Sequence, residues 1–194
     1  LSRLRTLQIT TAIVLASALA CTAAALAGSG ALAYSSASAR VVQRQDVPGS
    51  CHARGTGLFS LPDPRCTPGA LDQAVRPSTI GSTICSSGWT STVRPSESVT
   101  EPEKFASMEA YGDRGRAGAY EYDHLVPLEL GGALNDPRNL WPEPDYSRPS
   151  GYYLNPKDHL ERALNRLVCD GSMSLSRAQL LIATDWVAAY HRYG

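Results

Sequence analysis

Asp123-His124, Asn139 and Asn155 are residues whose types and order suit the handling of a proton and a metal ion. An unperturbed imidazole titrates at about pH 6.5, so His is the side chain fitted to accept a proton near neutrality. A carboxylate beside it, with carboxamide oxygens further along the chain, offers the hard donors that hold small divalent cations. Each residue also has a plainer explanation. Asn155 stands directly before Pro156, the order of an N-cap and an N1 proline. His124 can be a strand-end histidine satisfied by Asp123, and Asn139 can close a turn begun at Asn135. Chemistry follows only if the chain brings the set together.

The elements that must do so are legible in outline. Residues 120–126 carry the aromatic and β-branched content of a strand, Gly131-Gly132 and Asn135-Asp136-Pro137 are turn signals, and 139–141 reads as a brief second strand. After a Pro- and Tyr-rich loop, Leu160, Ala163, Leu164, Leu167 and Val168 recur at helical spacing behind Asn155-Pro156, in a helix that ends before Gly171. A last helix follows Ser174, with Leu175, Ala178, Leu181, Ile182, Trp186, Ala189 and Tyr190 as its apolar stripe. Upstream, Thr100 and Glu103 form a capping box that opens a helix through Tyr111, closed by Gly112. Residues 82–93, with Ile84, Trp89 and Val93, are expected as short strands, and 34–50 as a linker. Trp89, Trp141 and Trp186 are expected as core anchors. The order is helix, strand, loop, strand, helix, helix, an α+β arrangement and not an alternating parallel one.

The 194 residues carry 18 Lys+Arg against 18 Asp+Glu, so the chain is no polycation and any nucleic-acid contact must come from a local patch. With 43% hydrophobic and 19% charged residues the composition is globular, enough for one modest domain. Arg3 and Arg5 precede an apolar run over 10–33 that ends in Ala31-Leu32-Ala33, the pattern of a signal peptide; a membrane anchor is the alternative. Cys21 falls in the segment removed, and without Arg3 and Arg5 the balance is 16 basic against 18 acidic. Export would place Cys51, Cys66, Cys85 and Cys169 in an oxidising compartment, where an even number reads as two disulfides. Of the three possible pairings we expect Cys51 with Cys66 across a local Pro/Gly-rich loop, and Cys85 with Cys169. The chain has no C-x-x-C pair, which argues against a four-cysteine metal site.

The run Asp123-His124-Leu-Val-Pro-Leu-Glu-Leu-Gly131-Gly132, then Asn139-Leu-Trp-Pro142, then Lys157-Asp158-x-Leu160-Glu161 resembles the HNH, or ββα-metal (His-Me finger), nucleases. It is most similar to a secreted branch that also carries the patterns at Ile84 to Thr90 and Val168 to Gly171. The resemblance implies a ββα-metal core of two short strands and a helix over 101–194, with additional helices. An irregular disulfide-linked segment over 51–100, the linker 34–50 and the signal peptide 1–33 precede it. It further implies that His124 is the general base and that Asn139 hydrogen-bonds its other ring nitrogen. A divalent ion would sit on Asp123 and on the residue at the third motif position. Asn155 occupies the place that often carries His, with His159 as the alternative. Mg2+ is the favoured ion, with Mn2+, Ca2+ and Zn2+ behind it. Lys157 and Arg138, with Arg148, Arg162 and Arg166, are candidate phosphate contacts, but a solvated face, with Asp158 and Arg162 paired at i,i+4, is the preferred reading of them. The implied function is a secreted, metal-dependent endonuclease acting on DNA or RNA with little sequence specificity, since no recognition helix or separate DNA-binding domain is left over. It would need no small-molecule cofactor, and no membrane partner unless the N-terminal segment stays uncleaved. The competing expectation is a non-catalytic exported binding module, for nucleic acid or the cell envelope, on the same fold.

Overall fold

The computed structural model describes residues 32–145 and 155–194. The expected signal peptide, apart from its last two residues, and the Pro/Tyr-rich loop at 146–154 lie outside them, as do Cys21 and Arg148. The fold is mixed α and β: β1 (Ala33–Tyr34), β2 (Ala70–Leu71), α1 (Trp89–Val93), α2 (Glu97–Tyr111), β3 (Tyr120–His124), β4 (Leu140–Pro144), α3 (Pro156–Cys169) and α4 (Leu175–Tyr193). β3 and β4 pair antiparallel with His124 opposite Leu140 and Asp123 opposite Trp141, while β1 and β2 form a separate parallel pair.

The two C-terminal helices form for the reasons their sequences suggest. The Asn155 side chain accepts from the Lys157 N–H ahead of Pro156, and the Ser174 side chain accepts from the Arg177 N–H. Their stripes, Leu160, Leu164 and Val168 against Leu175, Ala178, Ile182 and Trp186, meet Leu125, Val126 and Leu130 in one core. α4 is broken at Asp185, whose backbone is extended and whose carboxylate accepts the Ala188 N–H, so that a new turn is capped where the break occurs. Trp141 and Trp186 are fully buried and Trp89 partly, as core anchors should be.

Three local expectations change. Residues 82–93 form no strand: a 3-10 turn at Ile80–Ser82 leads to α1, where the Ser91 and Thr92 hydroxyls bond back to the Gly88 and Trp89 carbonyls. The segment has no strand beside it, and its Ile84 carbonyl is taken by the Asn165 side chain of α3. α2 begins behind Ser96, four residues before the expected cap at Thr100, and Glu103 turns inward without capping. The segment 34–50 is no free linker. Ser35 Oγ donates to Asp136, the Gln43 N–H donates to Glu103, and Gly49 N–H donates to the Glu109 carbonyl at the end of α2.

Cys51 pairs with Cys66 and Cys85 with Cys169, the expected connectivity. Such bonds suit an extracellular protein. Among the described residues no helix is long and apolar enough to cross a membrane. The two bridges close chain separations of 15 and 84 residues. In the chain-entropy picture the short loop contributes roughly 3 kcal/mol and the long one between roughly 4 and 5. Cys85→Ser/Cys169→Ser is therefore expected to lower the urea midpoint more than Cys51→Ser/Cys66→Ser; equal midpoints for the two double variants would refute the ranking.

Candidate active site

The hairpin places His124 at the end of β3, and the loop that joins it to β4 folds back over the ring. His124 Nε2 donates to the Leu134 carbonyl at 3.0 Å. A carbonyl can only accept, so the proton of the neutral ring sits on Nε2 and Nδ1 is left as the basic nitrogen. Burial holds the imidazole well below its ordinary value, at about 4, outweighing the neighbouring Asp123 charge. The ring is therefore an uncharged base throughout the physiological range.

Asn139 makes no hydrogen bond to His124, contrary to the role implied for it. Its side chain is fully buried and spans the loop: Oδ1 accepts the Val126 N–H at 3.0 Å, and Nδ2 donates to the Val126 and Ala133 carbonyls. The tautomer is fixed by the Leu134 carbonyl, and Asn139 holds the loop that presents it. Gly132 makes this possible. A Cβ there would stand 1.7 Å from the Val126 carbonyl oxygen and 2.7 Å from Asn139 Nδ2, so only glycine lets the loop close on the asparagine.

His124 lines a cleft of about 600 Å3 together with Glu121, Asp123, Glu129, Asp158 and Glu161, with Arg94 and Arg162 among its walls. Burial, then repulsion from Asp123 and Asp158, pushes Glu121 up to about 7. Asp158 and Glu129 are raised as well, by burial first. Behind the cleft lies Glu143, almost wholly buried, its carboxyl pushed far up by burial and by the Asp123 charge; its Oε1 and the Asp158 Oδ2 have no hydrogen-bond partner. This is a site with an excess of carboxylate oxygen, the chemistry a hard divalent cation satisfies.

Lys157 does not reach out to phosphate. Its side chain is 1% exposed, and Nζ donates to Asp123 Oδ2 at 2.6 Å, to the His124 carbonyl at 2.8 Å and to Glu161 Oε1. Although burial works against its charge, Asp123, Glu161 and Glu143 hold it well above the usual lysine range. One ammonium cannot neutralise three carboxyl groups, which is why burial still drives Glu161 upward. Arg138 is also misplaced as a phosphate contact at this site. It is paired with Asp136 at 2.6 Å and borders a different groove, with Arg44 and Arg65. The arginines that do line the cleft are Arg162, one of the wider set expected, and Arg94, which sequence reasoning missed. Arg94 follows α1, whose approach to the cleft depends on tertiary anchoring through Asn165 and Cys85–Cys169 and leaves no local signal.

Asn155 is a cap. Its amide oxygen accepts the Lys157 N–H at 3.2 Å, and its side chain is not among those lining the cleft; His159 is exposed and does not line it either. The carboxylates that α3 brings to the cleft are Asp158 and Glu161, the second of them held by Lys157. Asn155→Ser and Asn155→Asp are expected to melt within a few degrees of wild type, and Asn155→Ala to lose about 1 kcal/mol. Loss of divalent-ion binding in the folded Asn155→Ser protein would return this residue to the ligand set. Asp46 lies close to the sulfurs of Cys51 and Cys66, but those sulfurs are bonded to each other and offer no thiolate. No family model, curated protein or solved structure matches the chain.

Proposed function

We propose that this cleft hydrolyses phosphodiester bonds of DNA or RNA as a divalent-metal-dependent endonuclease of the ββα-metal kind, with β3, β4 and α3 as its core. The observation that carries the reading is His124, a buried neutral imidazole whose Nε2 is bonded to a backbone carbonyl and whose Nδ1 remains as the base, on the wall of a carboxylate-rich cleft. Nδ1 takes a proton from water as the water oxygen attacks phosphorus. The ester bond from phosphorus to the leaving sugar oxygen breaks, that oxygen takes a proton from solvent, and Arg94 and Arg162 contact the flanking phosphates. Asp123, Glu121 and Asp158, which line the cleft, would be the oxygen donors to a divalent ion that draws them together, and the bound ion would stabilise charge on the phosphate and the leaving oxygen. Mg2+ and Mn2+ suit an all-oxygen set of this kind better than Zn2+.

Electrostatics favours the metal-dependent form. A polyanion entering a cleft with five carboxylates and two arginines is repelled unless a cation intervenes. One feature favours the alternative of a non-catalytic binding module: the Lys157 ammonium already neutralises part of the Asp123 carboxylate. Incubation of the purified protein with plasmid DNA and with single-stranded RNA, with Mg2+ or with EDTA, separates the two. Nicking with Mg2+ that stops on chelation is expected. Intact nucleic acid under Mg2+ and Mn2+ alike would overturn the nuclease.

A further inference from the structure

We propose that Glu103, on α2 and outside the cleft, is a positioning residue for His124, acting through Asn135 and the Leu134 carbonyl. The orientation of the imidazole rests on one backbone oxygen in the turn 133–136. Such a carbonyl directs a proton only if its peptide is prevented from rotating. Asn139 and the Ala133 N–H, which donates to the Ala70 carbonyl, hold the turn on one side of Leu134. On the other side Asn135 is held by its own side chain, whose Nδ2 donates to Glu103 Oε1 at 2.9 Å and to the Val41 carbonyl at 3.1 Å. The same Glu103 oxygen accepts the Gln43 N–H, and Ser35 Oγ ties down Asp136 at 2.6 Å. α2 and the arm 35–43 thus converge on the residue next to Leu134.

Glu103 is 0% exposed, and among the described residues no ion pair includes it. A buried carboxyl without a counter-ion is expensive for a helix that needs only to pack. Its Oε2 and the Asn135 Oδ1 are both buried with no partner, so the pair is one donor short. Burial raises the affinity of Glu103 for a proton, which would give its second oxygen a hydrogen to donate. Glutamine at this position mimics the neutral acid and should preserve the network.

The inference rests on His124 being the base in the proposed cleavage, but its primary readout does not need cleavage. Long-range 1H–15N NMR of His124 is expected to show the Nε2–H tautomer in wild type and in Glu103→Gln, and a mixture of tautomers in Glu103→Ala. The kcat for plasmid nicking in Glu103→Ala is expected to fall about 10- to 100-fold with KM little changed, and Glu103→Gln to stay near wild type. A Glu103→Ala protein that keeps the pure Nε2–H tautomer overturns the proposal, whatever its rate. A shifted tautomer in a chain whose wild type cleaves nothing upholds the positioning role and removes the nuclease. Should Glu103→Ala not fold, Gln43→Pro deletes the arm's N–H from the same carboxyl oxygen. The same shift in smaller measure is expected there, and an unaltered tautomer overturns the proposal.

Discussion

His124→Ala is expected to lower the rate of phosphodiester cleavage by about 10²- to 10⁴-fold, the range of a lost general base, in a protein that still folds. The side chain is buried, yet its only hydrogen bond among the described residues is to the Leu134 carbonyl, so the truncation strands one acceptor and costs about 1 to 3 kcal/mol. Its pH signature is distinctive. The folded imidazole titrates at about 4 and the unfolded one at about 6.5, so between those values the unfolded chain holds more protons. Wild type therefore loses stability as pH falls through that window, by up to roughly 3 kcal/mol, and His124→Ala lacks this contribution. Urea melts of both proteins in EDTA at the two ends of the window measure the difference. In the metal-free protein Glu121 takes up its proton nearer 7, so divalent-ion binding should weaken as pH falls through that value while the base itself is still neutral. Cleavage by His124→Ala within a few-fold of wild type would remove the imidazole from the mechanism.

What the sequence made legible and what it did not divide along physical lines. The helices at Asn155-Pro156 and after Ser174 were readable because cap and periodicity are local, and the hairpin because Gly131-Gly132 and Asn139 are. The cysteine count implied two disulfides, and the pairing chosen for the local Pro/Gly-rich loop is the one observed, although four cysteines allow three. The segment 34–50 was not, because its polar residues look like solvent-facing linker until Glu103 and Asp136 are seen to receive them. Residues 82–93 have strand composition but no neighbouring strand. Arg138 and Lys157 were read as surface cations because that is where such residues usually lie. For Lys157 a signal existed: it falls on the helical stripe of Leu160, Leu164 and Val168, with Glu161 one turn on. A cation on an apolar face has to find carboxylates, and the chain supplies them from β3, β4 and α3.

That burial gives Lys157 the largest expected effect on stability among the side chains around the cleft. Lys157→Met keeps the length and apolar stem but removes the ammonium, leaving Asp123, Glu161 and Glu143 to share a buried space with no counter-charge. Breaking a buried ion network from one side costs about 3 to 5 kcal/mol, which for a chain of this size corresponds to a fall in Tm of about 6 to 20 °C. A surface phosphate contact would behave oppositely, losing activity with Tm unchanged. Lys157→Met/Glu161→Gln should recover part of the loss, since one of the stranded carboxylates is then gone, and the two substitutions are close enough to couple. Divalent ions provide the sharpest contrast. If the carboxylates of the cleft accept Mg2+ or Mn2+, the variant has more negative charge to satisfy than wild type, and added metal should raise its Tm by more. A Lys157→Met protein that melts within a few degrees of wild type would show that the carboxylates resolve their repulsion by protonation alone, without needing the ammonium.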